Sequence, residues 1–126
     1  MTFSSRVDEL LDKAADKASK RVRGTVLGIM RDTIKDTPVD TGRLRGNWFA
    51  SIGSPVYATP ERRAMGAAVS NAVDVTKKFN IGDDVYFTNN LPYAYIVEFG
   101  GMVNGHPRKG VGMLRRSIGI RTSKLR

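Results

Sequence analysis

Three places in the sequence carry side chains that could do chemistry. Asp40-Thr41-Gly42 is the tripeptide that holds the catalytic carboxylate of aspartic proteases, where two such groups share one proton across a dimer. Here Arg43 and Arg45 follow at once. A cation beside the dyad keeps both carboxylates ionised when the mechanism needs one protonated. Pro38, Asp40, Thr41 and Gly42 are also turn and helix-start residues, which accounts for them without catalysis. His106, the single histidine, lies between Gly105 and Pro107 with no acid at ligand spacing, so neither a metal nor a general-base role is expected of it. Gly100 to Gly112 is glycine-rich, but no glycine there precedes the Lys-Ser/Thr pair of a phosphate-binding loop. Cysteine is absent, which removes thiol nucleophiles, thiolate metal sites and disulfides together. The expectation is a protein that is not an enzyme, with no catalytic, metal or cofactor-binding residues.

Charge is more informative. The chain has 126 residues and a formal net charge of +9. Residues 1–36 hold eight basic and six acidic side chains, and residues 37–100 hold six of each. The remaining seven basic residues all lie beyond Gly100, where no acid occurs: Arg108, Lys109, Arg115, Arg116, Arg121, Lys124 and Arg126. A one-signed block of this kind favours a polyanion, either nucleic acid or an acidic protein face. Tyr86, Tyr93 and Tyr95 are separate from that block, so they read as core or interface residues rather than as base-stacking platforms. Glu98 is the one acid inside an apolar, aromatic run, and pairing with Arg43 or Arg45 is expected of it.

The elements that must position these residues follow from periodicity. Val7, Leu11, Ala14, Ala18, Val22, Val26 and Ile29 recur at spacings of three and four, which predicts one amphipathic helix over 5–36, capped by Ser4 or Ser5 and stopped before Pro38. Glu9 with Lys13, and Asp16 with Lys20, are spaced for ion pairs along it. Such a helix is longer than this domain needs, so it either wraps a sheet or projects to a neighbour. Gly24 and Gly28 within it mark a bend or a close contact. Leu44 to Ser54 reads as a helical turn and then a strand, with Trp48, Ala50 and Ile52 on one face. Thr59 or Pro60 is expected to open a second helix whose small stripe is Ala64, Ala68, Ala72, Val75 and Phe79. Val85 to Thr88 reads as a strand, and Tyr93 to Phe99 as a short helix closed by Gly100. Residues 100–112 are expected as a mobile loop, followed by a basic helix or strand over Met113 to Ile120. The fold class is α+β: one domain over 1–120, with the long helix on a small, mainly antiparallel sheet, a second helix nearby, and a frayed basic tail over 121–126. The longest uncharged run, Gly46 to Pro60, is too short and too broken by glycine and proline to cross a membrane, so no membrane partner is expected. No secretory leader is apparent, which leads us to expect folding in a cytoplasm.

Three segments resemble a phage family when taken in order: Thr37 to Trp48 (TPVDTGRLRGNW), Tyr86 to Gly100 (YFTNNLPYAYIVEFG) and Gly110 to Ile118 (GVGMLRRSI). The chain from about Ser5 to Ile120 is similar to the small neck or tail-completion proteins that join heads to tails in long-tailed phages. The resemblance implies a virion component, assembled in the host cytoplasm, that forms a closed ring at the head-proximal end of the tail. It implies neighbouring junction or tail-tube proteins as partners, and it brings no catalytic residues. Tail-terminator and head-closure subunits of the same junction are alternatives, as is a sequence-independent nucleic-acid-binding protein. A closed homo-oligomer, six copies being the leading expectation, would pack through Val22 and Val26 of the long helix and through Trp48, Ala50 and Ile52. The basic block would then touch the next ring or, without sequence preference, phage DNA.

Overall fold

A computed structural model describes residues 3–39 and 42–123. In chain order it contains α1 (Phe3–Asp36), α2 (Arg43–Gly46), β1 (Phe49–Ile52), α3 (Met65–Lys78), β2 (Val85–Thr88), α4 (Ala94–Phe99), β3 (Gly100–Val103), β4 (His106–Lys109) and α5 (Met113–Ser123). The class is mixed α+β, as the periodicity predicts.

At 34 residues, α1 is about 51 Å long. Its C-terminal part is packed: Gly28, Met30, Thr33 and Ile34 are buried and Val26 and Leu27 pack against the core, while residues 4–18 are exposed throughout. The helix is already running at Ser4 and Ser5, so neither serine is its cap. The Glu9–Lys13 ion pair forms at 3.3 Å. At the other end, Arg45 donates to the carbonyls of Lys35 (2.8 Å) and Thr37 (3.0 Å), satisfying acceptors that a helix C-terminus leaves without partners. Gly28 is a close contact, because a Cβ there would lie 2.9 Å from the Arg121 guanidinium of α5, whereas Gly24 faces open space.

The core has two connected parts. Ile34, Leu44, Trp48, Ala68, Leu91, Ala94 and Met113 form one, and Met30, Ala50 and Ala72 form the other. Trp48 stacks on Phe87 at 4.7 Å, and its indole Nε1 donates to the hydroxyl of buried Thr37 at 2.8 Å. The long helix packs chiefly on α3 and α5, and reaches the sheet through Met30.

β1 and β2 pair antiparallel from Phe49↔Thr88 to Ile52↔Val85. The other edge of β1 is closed by Asn71 of α3, whose amide accepts from the Ala50 N–H (2.7 Å) and donates to the Ala50 carbonyl (3.0 Å). That bond pair blocks strand addition at the middle of the edge.

In three places the structure departs from what the sequence leads one to expect. The second helix begins at Met65 rather than at Thr59 or Pro60. Residues 59–64 instead fasten the core: the Pro60 carbonyl accepts from Asn47 (3.0 Å), and Arg43 donates to the Thr59 carbonyl (3.3 Å). Arg63 turns inward to the carbonyls of Gly46 (2.9 Å) and Trp48 (2.6 Å) and lies 3.9 Å over the Phe49 ring. Burial of its guanidinium lowers the Arg63 pKa from its ordinary value. The segment 100–112 is not an unstructured loop but largely an antiparallel hairpin, Gly100↔Lys109 to Val103↔His106. Its turn is Asn104-Gly105, both with positive φ (50° and 77°), the geometry of a two-residue type I′ connection. The final segment is helical through Ser123, so Arg121 belongs to α5 rather than to a frayed tail.

Candidate interaction surfaces

Glu98 ends α4 with its side chain turned inward, 8% exposed. Its carboxylate accepts from the backbone N–H groups of Leu114 and Arg115, each at 3.0 Å, and from Arg115 Nε at 3.2 Å. Arg115 also donates to the Glu98 carbonyl at 2.6 Å. Glu98 is therefore the anionic cap of α5, where the helix dipole favours negative charge. Its partner is Arg115, not Arg43 or Arg45, because the hairpin folds the chain back and sets the start of α5 against the end of α4. Nearby, the guanidinium of Arg115 lies 4.6 Å over the Phe99 ring.

The basic block divides by role. Arg115 is tied to Glu98, and Arg121 grips Asp32 of α1 through two bonds of 2.7 and 3.1 Å. The hydrogen bond and Coulomb attraction from Asp32 raise the Arg121 pKa. Arg108 and Lys109 on β4, and Arg116 on α5, are exposed and have no ion-pair partner among the described residues. Lys124 and Arg126 lie outside the described residues. So does Asp40, the carboxylate of the protease-like tripeptide. His106 is exposed on β4, and among the described residues no group of three or more His, Asp or Glu could hold a metal ion.

The residues expected at a ring interface also separate. Trp48 and Ala50 are buried in the subunit's own core, because β1 is roofed by α3 and flanked by β2. Val26 packs on the Met30 cluster. Val22 and Ile52 remain exposed.

Two surfaces emerge from the packing, the first of which sequence reading did not single out. One is a groove of about 640 Å³ beside the hairpin, with Ile96, Val97, Val103 and Val111 on its apolar lining and Arg43, Arg108 and Lys109 among its polar residues. Pro38 and Val39, just past the end of α1, complete one wall. The Asn-Gly pair was the legible signal for the hairpin that builds it. The other is the uncovered half of α1, where Leu10 and Leu11 are 61% and 63% exposed. No helix among the described residues is long and apolar enough to cross a membrane, so this stripe is not a membrane span.

No curated protein and no solved structure matches the chain. The sequence does match, over residues 2–100, the family described as "Bacteriophage HK97-gp10, putative tail-component". That span takes in α1, all of the core but Met113, and Glu98, and it stops where the hairpin begins. The chain belongs to the HK97-gp10-like family of phage tail components.

Proposed function

We propose that the protein is a structural subunit of the phage head-to-tail junction, acting as one copy in a closed ring that joins or completes the tail at its head-proximal end. Family membership supports the structural role in the tail. The observation that carries the ring reading is the projecting half of α1. Fifteen consecutive exposed positions, residues 4–18, include Val7, Leu10 and Leu11, and none of them belongs to either core cluster. A helix this short of tertiary contacts gains little stability from its own fold, since most helical stability comes from packing of the apolar face. A neighbouring subunit supplies that packing. Ring closure rather than pairing requires two different patches to meet, and the chain has two unlike surfaces to offer. Sedimentation velocity and native mass spectrometry over rising concentration test this reading. One closed oligomer of fixed number is expected, and a monomer at every concentration overturns it.

The exposed cations supply the second part. Arg116 is exposed on α5, and together with Lys124 and Arg126 of the sequence's basic block it would meet an acidic face of the next ring or the phosphates of DNA passing through the junction. Contact with DNA would be independent of sequence and steeply salt-dependent. Charge reversal at these three positions leaves the ring intact and weakens joining of heads to tails. The rival reading, a free-standing nucleic-acid-binding protein, expects tight DNA binding by a monomer or dimer alone. A gel-shift titration across salt separates the two.

A further inference from the structure

We infer that the groove beside the hairpin receives the projecting half of α1 from the next copy of the chain, so that the ring closes through a helix-in-groove contact. This deepens the ring reading and rests on it.

Complementarity in shape and charge carries the inference. On the exposed helix, Val7, Leu10, Leu11, Ala14 and Ala18 form one stripe, with Asp8 on its flank, about 60° round the helix from Leu11, and Asp12 next beyond it. Residues 3–16 hold four acids against Arg6 and Lys13. This is the acidic end of a chain with a net charge of +9. The groove has the matching features: an apolar lining of Ile96, Val97, Val103 and Val111, with Arg108 and Lys109 beside it lacking any ion-pair partner among the described residues. An amphipathic helix laid in such a groove buries its stripe and sets the flanking Asp8, with Asp12 beyond it, toward cations at the groove's rim.

The occupant must come from another copy. Pro38 and Val39 of the groove wall directly follow the C-terminus of α1, and Leu11 lies 25 residues back along that helix from Asp36, about 38 Å away. A continuous helix cannot return its own start to its own end. The contact is therefore heterologous, helix of one copy to groove of the next, and contacts of that type generate rings when the rotation closes.

The absence of cysteine makes the test direct. Leu11→Cys and Val111→Cys are each introduced into the otherwise intact chain, and the variants are oxidised singly and as a mixture. Disulfide-linked dimers in the mixture alone, and a ladder from the double variant, are the expected result. Cross-linking of Leu11→Cys with itself, and not with Val111→Cys, would mean that helices pair with each other and would overturn the groove. Closed rings without the mixed cross-link would also overturn it while leaving the ring reading intact, and no oligomer at all would remove both. A charge swap gives a second readout. Asp8→Lys with Asp12→Lys, or Arg108→Glu with Lys109→Glu, weakens assembly by about tenfold or more, and combining the two sets restores it. Failure of the combined variant to recover, with each single set still folded, would contradict the pairing.

Discussion

At the scale of single residues, Glu98 fastens α5 to the rest of the molecule. Its carboxylate satisfies two N–H groups at the start of α5 and one guanidinium, in a position where water has little access. Removing it leaves those donors without their acceptor, which costs about 2 kcal/mol by the usual penalties for a lost cap and for buried unpaired groups. Glu98→Ala should lower stability by that amount in urea unfolding, and Glu98→Gln by less, since an amide oxygen still accepts. Gly46 is constrained in another way. A Cβ at this position would lie 1.6 Å from the Arg63 carbonyl oxygen, so Gly46→Ala must displace the 59–64 segment. A loss of about 1–3 kcal/mol is expected, typical of an overpacked site, read as a fall in the thermal midpoint.

At the scale of elements, the β3–β4 hairpin forms one side of the groove, and its turn depends on two residues with positive φ. Gly105→Val places a β-branched side chain at φ 77°. It should cost about 1–2 kcal/mol, with lost hydrogen-exchange protection confined to β3 and β4 and β1–β2 unaffected. The elements legible in the sequence were those set by local pattern. The long stripe gave α1, the alternation around Ala50 gave β1, and proline and glycine at its ends bracketed α4. The start of α3 was not legible, because carbonyls that a helix would use are taken by Arg43 and Asn47, distant in sequence. Nor could spacing show which basic residue meets Glu98, since that depends on a hairpin folding the chain back. The hairpin itself was signalled by Asn104-Gly105, and a glycine-rich composition hid it. Of the expected interface residues, Trp48 and Ala50 are apolar in a way that serves the core and the surface equally in sequence, and only packing distinguishes them.

At the scale of the whole molecule, the protein divides into a packed body and a projecting arm. The body keeps its core when the arm is removed, because residues 4–18 are exposed and supply no member of either core cluster. Deleting residues 1–18 should therefore change unfolding free energy by no more than about 0.5 kcal/mol, as for other exposed positions. The same deletion should abolish assembly, which sedimentation would show as a monomer. Cryo-electron microscopy of virions carrying this protein tests the central claim most directly. The account predicts a closed ring of this subunit at the head-proximal end of the tail, with a helix of each copy reaching across to its neighbour. Virions whose junction contains no ring built from this chain would contradict it.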